Sequence, residues 1–441
     1  MRYDVAVIGL GYVGLTFATA LAELGFSVLG VERRAEIVEM TRKAVPHFSE
    51  NGLRESLRRA VESKNLSATT KIARKDRAGI YIITVGTPLN NQGQFNVDYI
   101  AEAAREVSDN MGSGALVILR STVALGTSRG VVAPILANSS KDFEIAMCPE
   151  RTLEGKAMEE LRCLPQIIGA DEYKTRQRCA RFFNQLTPTV VQVSSLETAE
   201  IIKLVDNTFR DVQFGFANEV ARVCDSYGVN AIEVIKGGKL GYPRTNLPLP
   251  GLVGGPCLEK DPHILAQSLE RRGVTLEITK AARHVNERQP DETVEFVCEQ
   301  LAKRFQGQSP KIAIAGIAFK GIPATDDLRG SMGLRVISSI RNQIPGVRLR
   351  VFDPVCTEMQ LRSCDINAEI YAETLETAID GVHCLIIANN HPELGEISLS
   401  KLTSSMVPGG FVFDYWNHLS DHHNYEVGDA YFGVGNIGWA R

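Results

Sequence analysis

A single cysteine lies in a segment whose residue types suit nucleophilic chemistry, Gly254-Gly255-Pro256-Cys257-Leu258-Glu259-Lys260-Asp261-Pro262. Two glycines and a proline precede Cys257, and Lys260 and Asp261 follow it within one helical turn. Because the thiolate is the reactive form of cysteine, a nearby cation favours a nucleophile at this position. The alternative is an ordinary Gly-Gly-Pro turn that carries an inert cysteine, and the segment alone leaves both open.

A glycine motif near the start of the chain predicts a dinucleotide-binding site. The apolar run Val5–Ile8 predicts a buried parallel strand, and Leu15–Leu24 predicts a helix. Between them lies Gly9-Leu10-Gly11-Tyr12-Val13-Gly14, whose glycines allow a tight turn, approach of a pyrophosphate and close helix–strand packing. Glu32, 18 residues after Gly14, ends the next predicted strand, where a carboxylate accepts ribose hydroxyls and repels a 2′-phosphate. We therefore expect NAD, and a nicotinamide cofactor with a nucleophilic cysteine indicates oxidation through a thiohemiacetal and a thioester.

Further strands are predicted at 80–84, 116–119, 144–147 and 166–168, with helical patterns between most of them. Strands that alternate with helices indicate a doubly wound α/β sheet, and ligands bind beyond the carboxyl ends of its strands. Polar residues follow three of these strands, namely Thr87 in Thr84–Pro88, Thr122 in Ser121-Thr122, and Glu150 in Pro149-Glu150-Arg151. An ordinary turn or a solvated loop is the alternative for each one.

The middle of the chain is predicted to be helical. Apolar residues at helical spacing predict one long helix over 196–227, and further helices are predicted at 261–272 and 277–288. Lys203 and Asn207 are four residues apart, so they share a face of the long helix, where they could stabilise an oxyanion or be solvated. A second α/β unit follows, with strands at 311–316, 348–352, 383–388 and 411–414 and a helix at 334–341.

The predicted fold class is therefore α/β, with two Rossmann-like doubly wound domains joined by a long helix and a helical central domain. We expect an NAD-binding domain at residues 1–195, a central helical domain that carries the cysteine at 196–305, and a second Rossmann-like domain at 306–441.

Composition excludes several classes of function. The 441-residue chain has a net charge of -4, which gives no electrostatic case for binding nucleic acid. No apolar run approaches the ~20 residues of a membrane helix, and the first strand begins too early to leave room for a signal peptide. Nine cysteines are scattered without a Cys-x-x-Cys pair, so we expect no disulfide framework, no metal site and a cytoplasmic location.

Taken together, these motifs resemble the nucleotide-sugar 6-dehydrogenases, a family that includes UDP-glucose, GDP-mannose and UDP-N-acetylhexosamine dehydrogenases. The resemblance covers essentially the whole chain. It is carried by Gly9–Gly14 with Glu32, Thr87-Pro88, Ser121-Thr122-Val123, Pro149-Glu150, Lys203-x-x-x-Asn207, Gly254–Asp261, and Gly316-Ile317-Ala318-Phe319-Lys320 leading to Thr325-Asp326-Asp327-Leu328-Arg329.

The resemblance implies a four-electron oxidation of a sugar C6 alcohol to the carboxylate with two NAD. Cys257 would capture the C6 aldehyde, Asp261 and Lys203 would manage the first proton and the charge on oxygen, and Asn207 would hold the oxyanion. Thr122 would order a water, and Glu150 would assist thioester hydrolysis. The implied cofactor contacts are Gly9, Gly11, Tyr12, Val13, Gly14, Glu32, Thr87, Thr122 and Arg329. The implied substrate contacts are Glu150, Arg151, Lys203, Asn207, Arg244, Gly254 and Lys320.

The expected substrate is a UDP-N-acetylhexosamine, either UDP-ManNAc or UDP-GlcNAc. Arg151 after the glutamate resembles that branch of the family, whereas Lys260 resembles the UDP-glucose branch, so UDP-glucose remains the alternative. Trp416 stands where the family often has arginine. The resemblance also implies a homodimer, or a higher oligomer, built on the long helix, with Arg244 entering the neighbouring subunit's site. Rival classes are a simple 2-hydroxyacid or 6-phosphogluconate-type dehydrogenase, and a non-catalytic nucleotide-sugar-binding protein.

Overall fold

The computed structural model describes residues 3–73, 75–90, 92–270, 272–366, 370–419 and 430–437. The chain forms two compact units. The N-terminal unit contains residues 1–207 and 263–275, and the C-terminal unit contains residues 208–262 and 276–441. None of the helices in these described ranges combines the length and apolar character needed to cross a membrane.

An eight-stranded sheet forms the core of the N-terminal unit. Its strands are β1 (Tyr3–Ile8), β2 (Val28–Val31), β3 (Leu66–Thr69), β4 (Ala78–Ile83), β5 (Ala115–Leu119), β6 (Phe143–Met147), β7 (Gln166–Gly169) and β8 (Val190–Val193). Their order is β3-β2-β1-β4-β5-β6-β7-β8, and all neighbours are parallel except β6 and β7. The order reverses between β1 and β4, and this reversal opens a crevice at the carboxyl ends of the strands.

Helices cover both faces of this sheet, and two apolar clusters fill the space between the layers. The helices up to residue 207 are α1 (Tyr12–Glu23), α2 (Ala35–Arg42), α3 (Leu53–Glu62), α4 (Asp98–Asn110), α5 (Ala133–Ala137), α6 (Ala157–Glu160), α7 (Tyr173–Phe183) and the start of α8 (Leu196–Tyr227). Gly25 ends the first helical segment at φ 92°, as a glycine after a helix commonly does.

The C-terminal unit has a five-stranded parallel sheet. Its strands are β9 (Lys311–Ala315), β10 (Arg348–Phe352), β11 (Cys384–Ile387), β12 (Phe411–Asp414) and β13 (Tyr431–Gly433), in the order β10-β9-β11-β12-β13. The order reverses between β9 and β11. The remaining helices are α9 (Ala231–Lys239), α10 (Gly255–Leu258), α11 (Asp261–Glu270), α12 (Glu277–Arg304), α13 (Met332–Gln343), α14 (Glu358–Arg362), α15 (Leu375–Ile379) and α16 (Leu399–Ser405).

The α/β fold class with two doubly wound sheets and a helical middle is confirmed. The bounds of α8 are those predicted, whereas α12 continues 16 residues beyond the predicted end at residue 288. Pro290 lies inside this helix, although proline removes a helical hydrogen bond. The helix passes through Pro290 because Val294, Val297 and Leu301 bury its second half in the C-terminal unit.

Candidate active site

The glycine motif lies at the sheet reversal of the N-terminal unit, directly after β1. An added Cβ at Gly14 would lie 1.8 Å from the carbonyl oxygen of Gly9, so only glycine lets α1 pack this closely. At Gly11, by contrast, an added Cβ meets nothing within 4 Å, and Gly11 is the N-cap of α1 without a side-chain hydrogen bond. Open space before helix N–H groups fits the pyrophosphate of a dinucleotide. Gly9, Gly11, Tyr12, Val13 and Gly14 would therefore hold NAD.

Glu32 follows β2 and faces the same motif. Its carboxylate accepts from the backbone N–H of Leu10 at 3.1 Å and from the backbone N–H of Arg34 at 3.1 Å. Burial opposes ionisation of this carboxyl, but the hydrogen bonds and charge of Arg34 hold its pKa below the ordinary value. A fixed carboxylate with remaining lone pairs fits the ribose hydroxyls of NAD.

The hydroxyl residues after β4 and β5 tie the ends of these strands together. Thr87 Oγ1 donates to the carbonyl of Thr122 at 2.7 Å, and Ser121 Oγ donates to the carbonyl of Val85 at 2.7 Å. Both loops leave the sheet beside the glycine motif, because β4 pairs with β1. The structure therefore brings Thr87 and Thr122 together, with the Thr87 hydroxyl fixing the backbone of Thr122.

Glu150 is a buried carboxylate held by an arginine that the sequence did not single out. Arg120 at the end of β5 donates from Nε at 2.9 Å and from Nη2 at 2.5 Å to one Glu150 oxygen, and both side chains are almost fully buried. The backbone N–H groups of Arg151 and Thr152 donate to the other oxygen, at 2.7 and 2.8 Å. Burial by itself would raise the Glu150 pKa, but Arg120, these two N–H groups and the charge of Lys203 lower it.

Lys203 and Asn207 lie on α8 at the predicted spacing, and both are buried. The charge of Lys203 is among the causes that lower the pKa of Glu150. Arg151, in contrast, is partly exposed and pairs with Asp206 on α8 at 3.1 Å.

A second carboxylate links the glycine motif to the loop after Glu150. Glu50 accepts hydrogen bonds from the Tyr12 hydroxyl and from the backbone N–H groups of Gly155, at 2.6 Å, and Ala157, at 2.9 Å. Burial and the hydrogen bond to Glu50 raise the Tyr12 pKa, so the phenol stays protonated. This contact was not predicted, since nothing in the spacing links residues 38 positions apart.

In the C-terminal unit, Cys257 lies on the one-turn helix α10 and is exposed. Gly255 has φ 90°, and an added Cβ would lie 2.4 Å from the Phe319 ring, so this position requires glycine. An added Cβ at Gly254 would lie 2.4 Å from the carbonyl oxygen of Gly330. Asp261 is fully buried and accepts from Lys260 Nζ at 2.8 Å. The segment is thus a tightly built turn that presents the thiol.

The remaining predicted residues of the C-terminal unit are Lys320, Arg329 and Arg244. Lys320 follows β9, at the reversal of the second sheet, and its Nζ lies 5.3 Å from the centre of the Phe319 ring. Arg329 pairs with Asp327. Arg244 is exposed, and its guanidinium lies 4.4 Å from the Tyr242 ring.

Trp416, at the position that often holds arginine in the family, lies beyond the end of β12. Its indole Nε1 donates to the carbonyl of Ala388 at 3.2 Å. An added Cβ at Gly251 would lie 3.3 Å from the Trp416 ring. The ring therefore occupies the carboxyl edge of the second sheet as a flat apolar surface rather than a positive charge.

Comparisons with known proteins agree with this architecture. Three family models match: the NAD-binding domain of the UDP-glucose/GDP-mannose dehydrogenase family over residues 3–187, its central domain over 197–288, and its UDP-binding domain over 313–421. A UDP-N-acetyl-D-mannosamine dehydrogenase of Pyrococcus horikoshii is 32% identical over 91% of this chain and 93% of its own. A Campylobacter jejuni enzyme of that name is also 32% identical, over 91% and 98% of the two chains.

Solved structures give the same result. The structure of the UDP-D-ManNAc dehydrogenase from Pyrococcus horikoshii superposes with a TM-score of 0.87 at 30% identity, covering 99% of this chain and 100% of that one. A UDP-glucose dehydrogenase from Pyrobaculum islandicum gives a TM-score of 0.85 at 29% identity, covering 99% and 98%.

The fold, the dinucleotide edge and these matches define an NAD-dependent oxidoreductase that acts on nucleotide sugars. The chain belongs to the UDP-glucose/GDP-mannose dehydrogenase family. The predicted family and cofactor are confirmed.

Proposed function

We propose that this enzyme oxidises the C6 hydroxyl of a UDP-N-acetylhexosamine, first of all UDP-N-acetyl-D-mannosamine, to the uronic acid. The observation that carries the proposal is the turn at Gly254–Cys257, which is built around glycines and presents an exposed thiol in a chain with an NAD-binding edge. The choice of sugar is supported by the two 32% identical relatives named for UDP-N-acetyl-D-mannosamine and by Arg151 after Glu150.

In this proposal Cys257 is the nucleophile. Its Sγ adds to C6 of the aldehyde formed by the first oxidation, and the resulting thiohemiacetal loses its hydroxyl proton and a second hydride to become a thioester. NAD supplies the chemistry of both oxidations by accepting a hydride each time. Asp261 and Lys203 manage the first proton and the charge on oxygen, and Asn207 donates to the oxyanion.

Hydrolysis of the thioester is assigned to Glu150 and Thr122. Because Arg120 and two backbone N–H groups keep the Glu150 carboxyl ionised, it can accept a proton from an attacking water at neutral pH. The hydrogen bond from Thr87 fixes the backbone of Thr122, whose hydroxyl we assign to ordering that water.

The remaining assignments follow the same family pattern. Gly9, Gly11, Tyr12, Val13, Gly14, Glu32, Thr87, Thr122 and Arg329 are assigned to NAD. Glu150, Arg151, Lys203, Asn207, Arg244, Gly254 and Lys320 are assigned to the UDP-sugar. The domain boundaries after residues 195 and 305 stay a proposal, supported by the family-model spans 3–187, 197–288 and 313–421.

We further propose that two chains associate through α8. One stripe of this helix carries apolar side chains that are 41% to 82% exposed, namely Ile201, Val205, Phe209, Phe216, Val223 and Tyr227. Spacings of four and seven residues place these side chains on one face, and an exposed apolar face of this length is typical of a protein interface. In such a homodimer, or a higher oligomer built from it, Arg244 would serve the partner's site. A cytoplasmic location is supported by the scattered cysteines.

A second candidate substrate is UDP-glucose. It is favoured by Lys260, which contacts Asp261 at 2.8 Å, and by the Pyrobaculum islandicum structure. The test is to supply the purified enzyme and NAD with UDP-ManNAc, UDP-GlcNAc, UDP-glucose and GDP-mannose, and to measure NADH formed per sugar consumed. We expect the highest kcat/KM with UDP-ManNAc and a ratio near two, as a four-electron oxidation requires.

Cys257→Ser is the control for the covalent route, because a hydroxyl is a far weaker nucleophile than a thiolate. We expect this variant to bind NAD normally and to lose steady-state turnover. A ratio near one, or full turnover by Cys257→Ser, would point to a simple two-electron dehydrogenase. Binding of the sugar without NADH would point to a non-catalytic binding protein.

A further inference from the structure

A buried arginine contacts the backbone on both sides of the Cys257 turn. Arg283 lies on α12 and is 2% exposed. Its Nη1 donates to the carbonyl of Leu258 at 2.8 Å, directly after Cys257, and its Nη2 donates to the carbonyl of Val253 at 3.0 Å, directly before the turn. One guanidinium therefore joins the two ends of the segment that presents the thiol.

The charge of Arg283 is balanced from α8. Nη1 also donates to Asp211 Oδ1 at 2.7 Å, and Asp211 is fully buried. Nε lies 3.4 Å from Glu287 on the next turn of α12. Because an unpaired buried charge is costly, this pairing is what allows a cation to sit behind the turn.

Two asparagines extend the contact to the start of the segment. Asn286 Nδ2 donates to the carbonyl and to Oδ1 of Asp211, both at 3.0 Å. Asn218 donates to Asn286 Oδ1 at 3.0 Å and to the carbonyl of Gly251 at 3.1 Å, and the backbone N–H of Gly251 donates back to Asn218 at 2.9 Å. Side chains of α8 and α12 thus fix the backbone at 251, 253 and 258.

The turn has two backbone hydrogen bonds of its own, from Glu259 N–H to the Gly255 carbonyl and from Lys260 N–H to the Cys257 carbonyl. Gly254, Gly255 and Pro256 have no polar side chain, so the carbonyls of Val253 and Leu258 at its two ends are held by groups outside it. A planar guanidinium presents several donors in a fixed fork, whereas a lysine ammonium is a single point with no fork. The guanidinium of Arg283 can therefore donate to Val253, Leu258 and Asp211 at once from a fixed fork, which a lysine ammonium lacks.

We propose that Arg283 is a positioning residue for Cys257: its guanidinium sets the path of the Gly254–Leu258 turn and so the place of the thiol. This inference rests on the proposed role of Cys257 as the nucleophile. Replacement of Arg283 should slow the covalent step and so lower kcat, while ligand binding stays nearly unchanged, because Arg283 acts on the backbone of the turn.

The test compares Arg283→Lys with Arg288→Lys in the full-length enzyme. Arg288 lies on the same helix, is partly exposed and pairs with Glu292, so it controls for loss of an arginine on α12. We expect Arg283→Lys to lower kcat roughly 10- to 100-fold, the cost of about 1 Å of misplacement, while the Kd for NAD changes less than about threefold. Arg288→Lys should match the wild type in both.

Hydrogen exchange separates this inference from the proposed function, because it needs no turnover. The backbone N–H groups of Glu259 and Lys260 are hydrogen-bonded within the turn, and that of Gly255 donates to the carbonyl of Gly330. We expect peptides covering 252–260 to be protected in the wild type and to exchange faster in Arg283→Lys, with peptides of β9 to β12 unchanged. If Cys257→Ser keeps full turnover while this exchange pattern holds, the proposed function fails and the positioning of the turn stands.

Two results would overturn the inference. One is an Arg283→Lys enzyme with the kcat and exchange pattern of Arg288→Lys. The other, which holds even if Arg283→Lys does not fold, is a wild-type segment at 252–260 that exchanges as fast as an exposed loop.

Discussion

Removal of the Arg120 guanidinium should leave the Glu150 carboxylate buried without its counter-charge. Arg120→Met keeps most of the side-chain volume but loses the guanidinium, whose carbon lies 4.3 Å from the centre of the Phe17 ring. It removes two hydrogen bonds to Glu150, one to Gln166 at 2.7 Å and one to the carbonyl of Cys148 at 3.3 Å. The change therefore removes every contact of the guanidinium, and a double-mutant cycle with Glu150→Gln isolates the part that belongs to Glu150.

The expected loss follows from burial. The Arg120 and Glu150 side chains are 2% and 10% exposed, and breaking a pair of this kind costs about 3–5 kcal/mol of unfolding free energy. Arg129→Met is the matched control, because Arg129 pairs with Asp171 and Glu197 but is half-exposed, and such pairs contribute about 0–1 kcal/mol.

The loss should depend on pH in a defined direction. The native contacts lower the Glu150 pKa, so their contribution to stability is present above the unfolded pKa of about 4.3 and disappears as the pH falls through the lower folded value. The difference in unfolding free energy between the wild type and Arg120→Met should therefore be large at pH 8 and shrink as the pH falls below about 4.3. At acid pH the protonated Glu150 no longer requires a counter-charge.

The assay is urea-dependent hydrogen exchange of peptides from β5 and β6, which reports on the N-terminal unit alone. A double-mutant cycle with Glu150→Gln should give a coupling of about 1–3 kcal/mol, since the two side chains share hydrogen bonds. The reasoning would be refuted if Arg120→Met lost as little unfolding free energy at pH 8 as Arg129→Met. Additive effects of Arg120→Met and Glu150→Gln in the cycle would refute it as well.

Three further predictions concern the cofactor edge and the second sheet. Gly11→Ala should keep the wild-type unfolding midpoint but weaken NAD binding, measured by calorimetry, roughly tenfold or more, because the methyl enters the open phosphate space. Gly14→Ala should instead lose about 1–3 kcal/mol of unfolding free energy through overpacking. Glu32→Ala should narrow the ratio of kcat/KM for NAD over NADP roughly tenfold, and an unchanged ratio would remove Glu32 from cofactor selection. Burial opposes protonation of His418, but its contact with Asp414 raises the His418 pKa. The stability lost in His418→Gln should therefore be largest below about pH 6.5 and fade as the pH rises. Urea midpoints of the two proteins across this pH range measure the loss.

The glycine motif and the long helix could be predicted because their signals are local. Gly9–Gly14 stands between a strand and a helix, and the apolar spacing of 196–227 fixes both ends of α8. The second half of α12 was not predicted, and only the packing of the C-terminal unit shows that the helix continues past Pro290. β8 was missed because its residues are exposed or half-buried and lack a clear alternation.

The buried arginines that contact Glu150 and the Cys257 turn were missed for a different reason. Arg120 and Arg283 are only 3% and 2% exposed. The sequence offers no sign that separates them from exposed arginines such as Arg129. Burial of a charge depends on a partner distant in the chain, here Glu150 for Arg120 and Asp211 for Arg283. Spacing rules predict loop residues such as Glu150 and Cys257. They do not predict the buried arginines that contact those loops.

The central claim is that Cys257 becomes covalently linked to C6 of the sugar. The most direct measurement is peptide mass spectrometry of Glu150→Gln, quenched in acid during its first turnover with UDP-N-acetyl-D-mannosamine and NAD. The account predicts a sugar nucleotide adduct on the peptide that contains Cys257, and none in Glu150→Gln/Cys257→Ser. First-turnover NADH without an adduct on that peptide would contradict it.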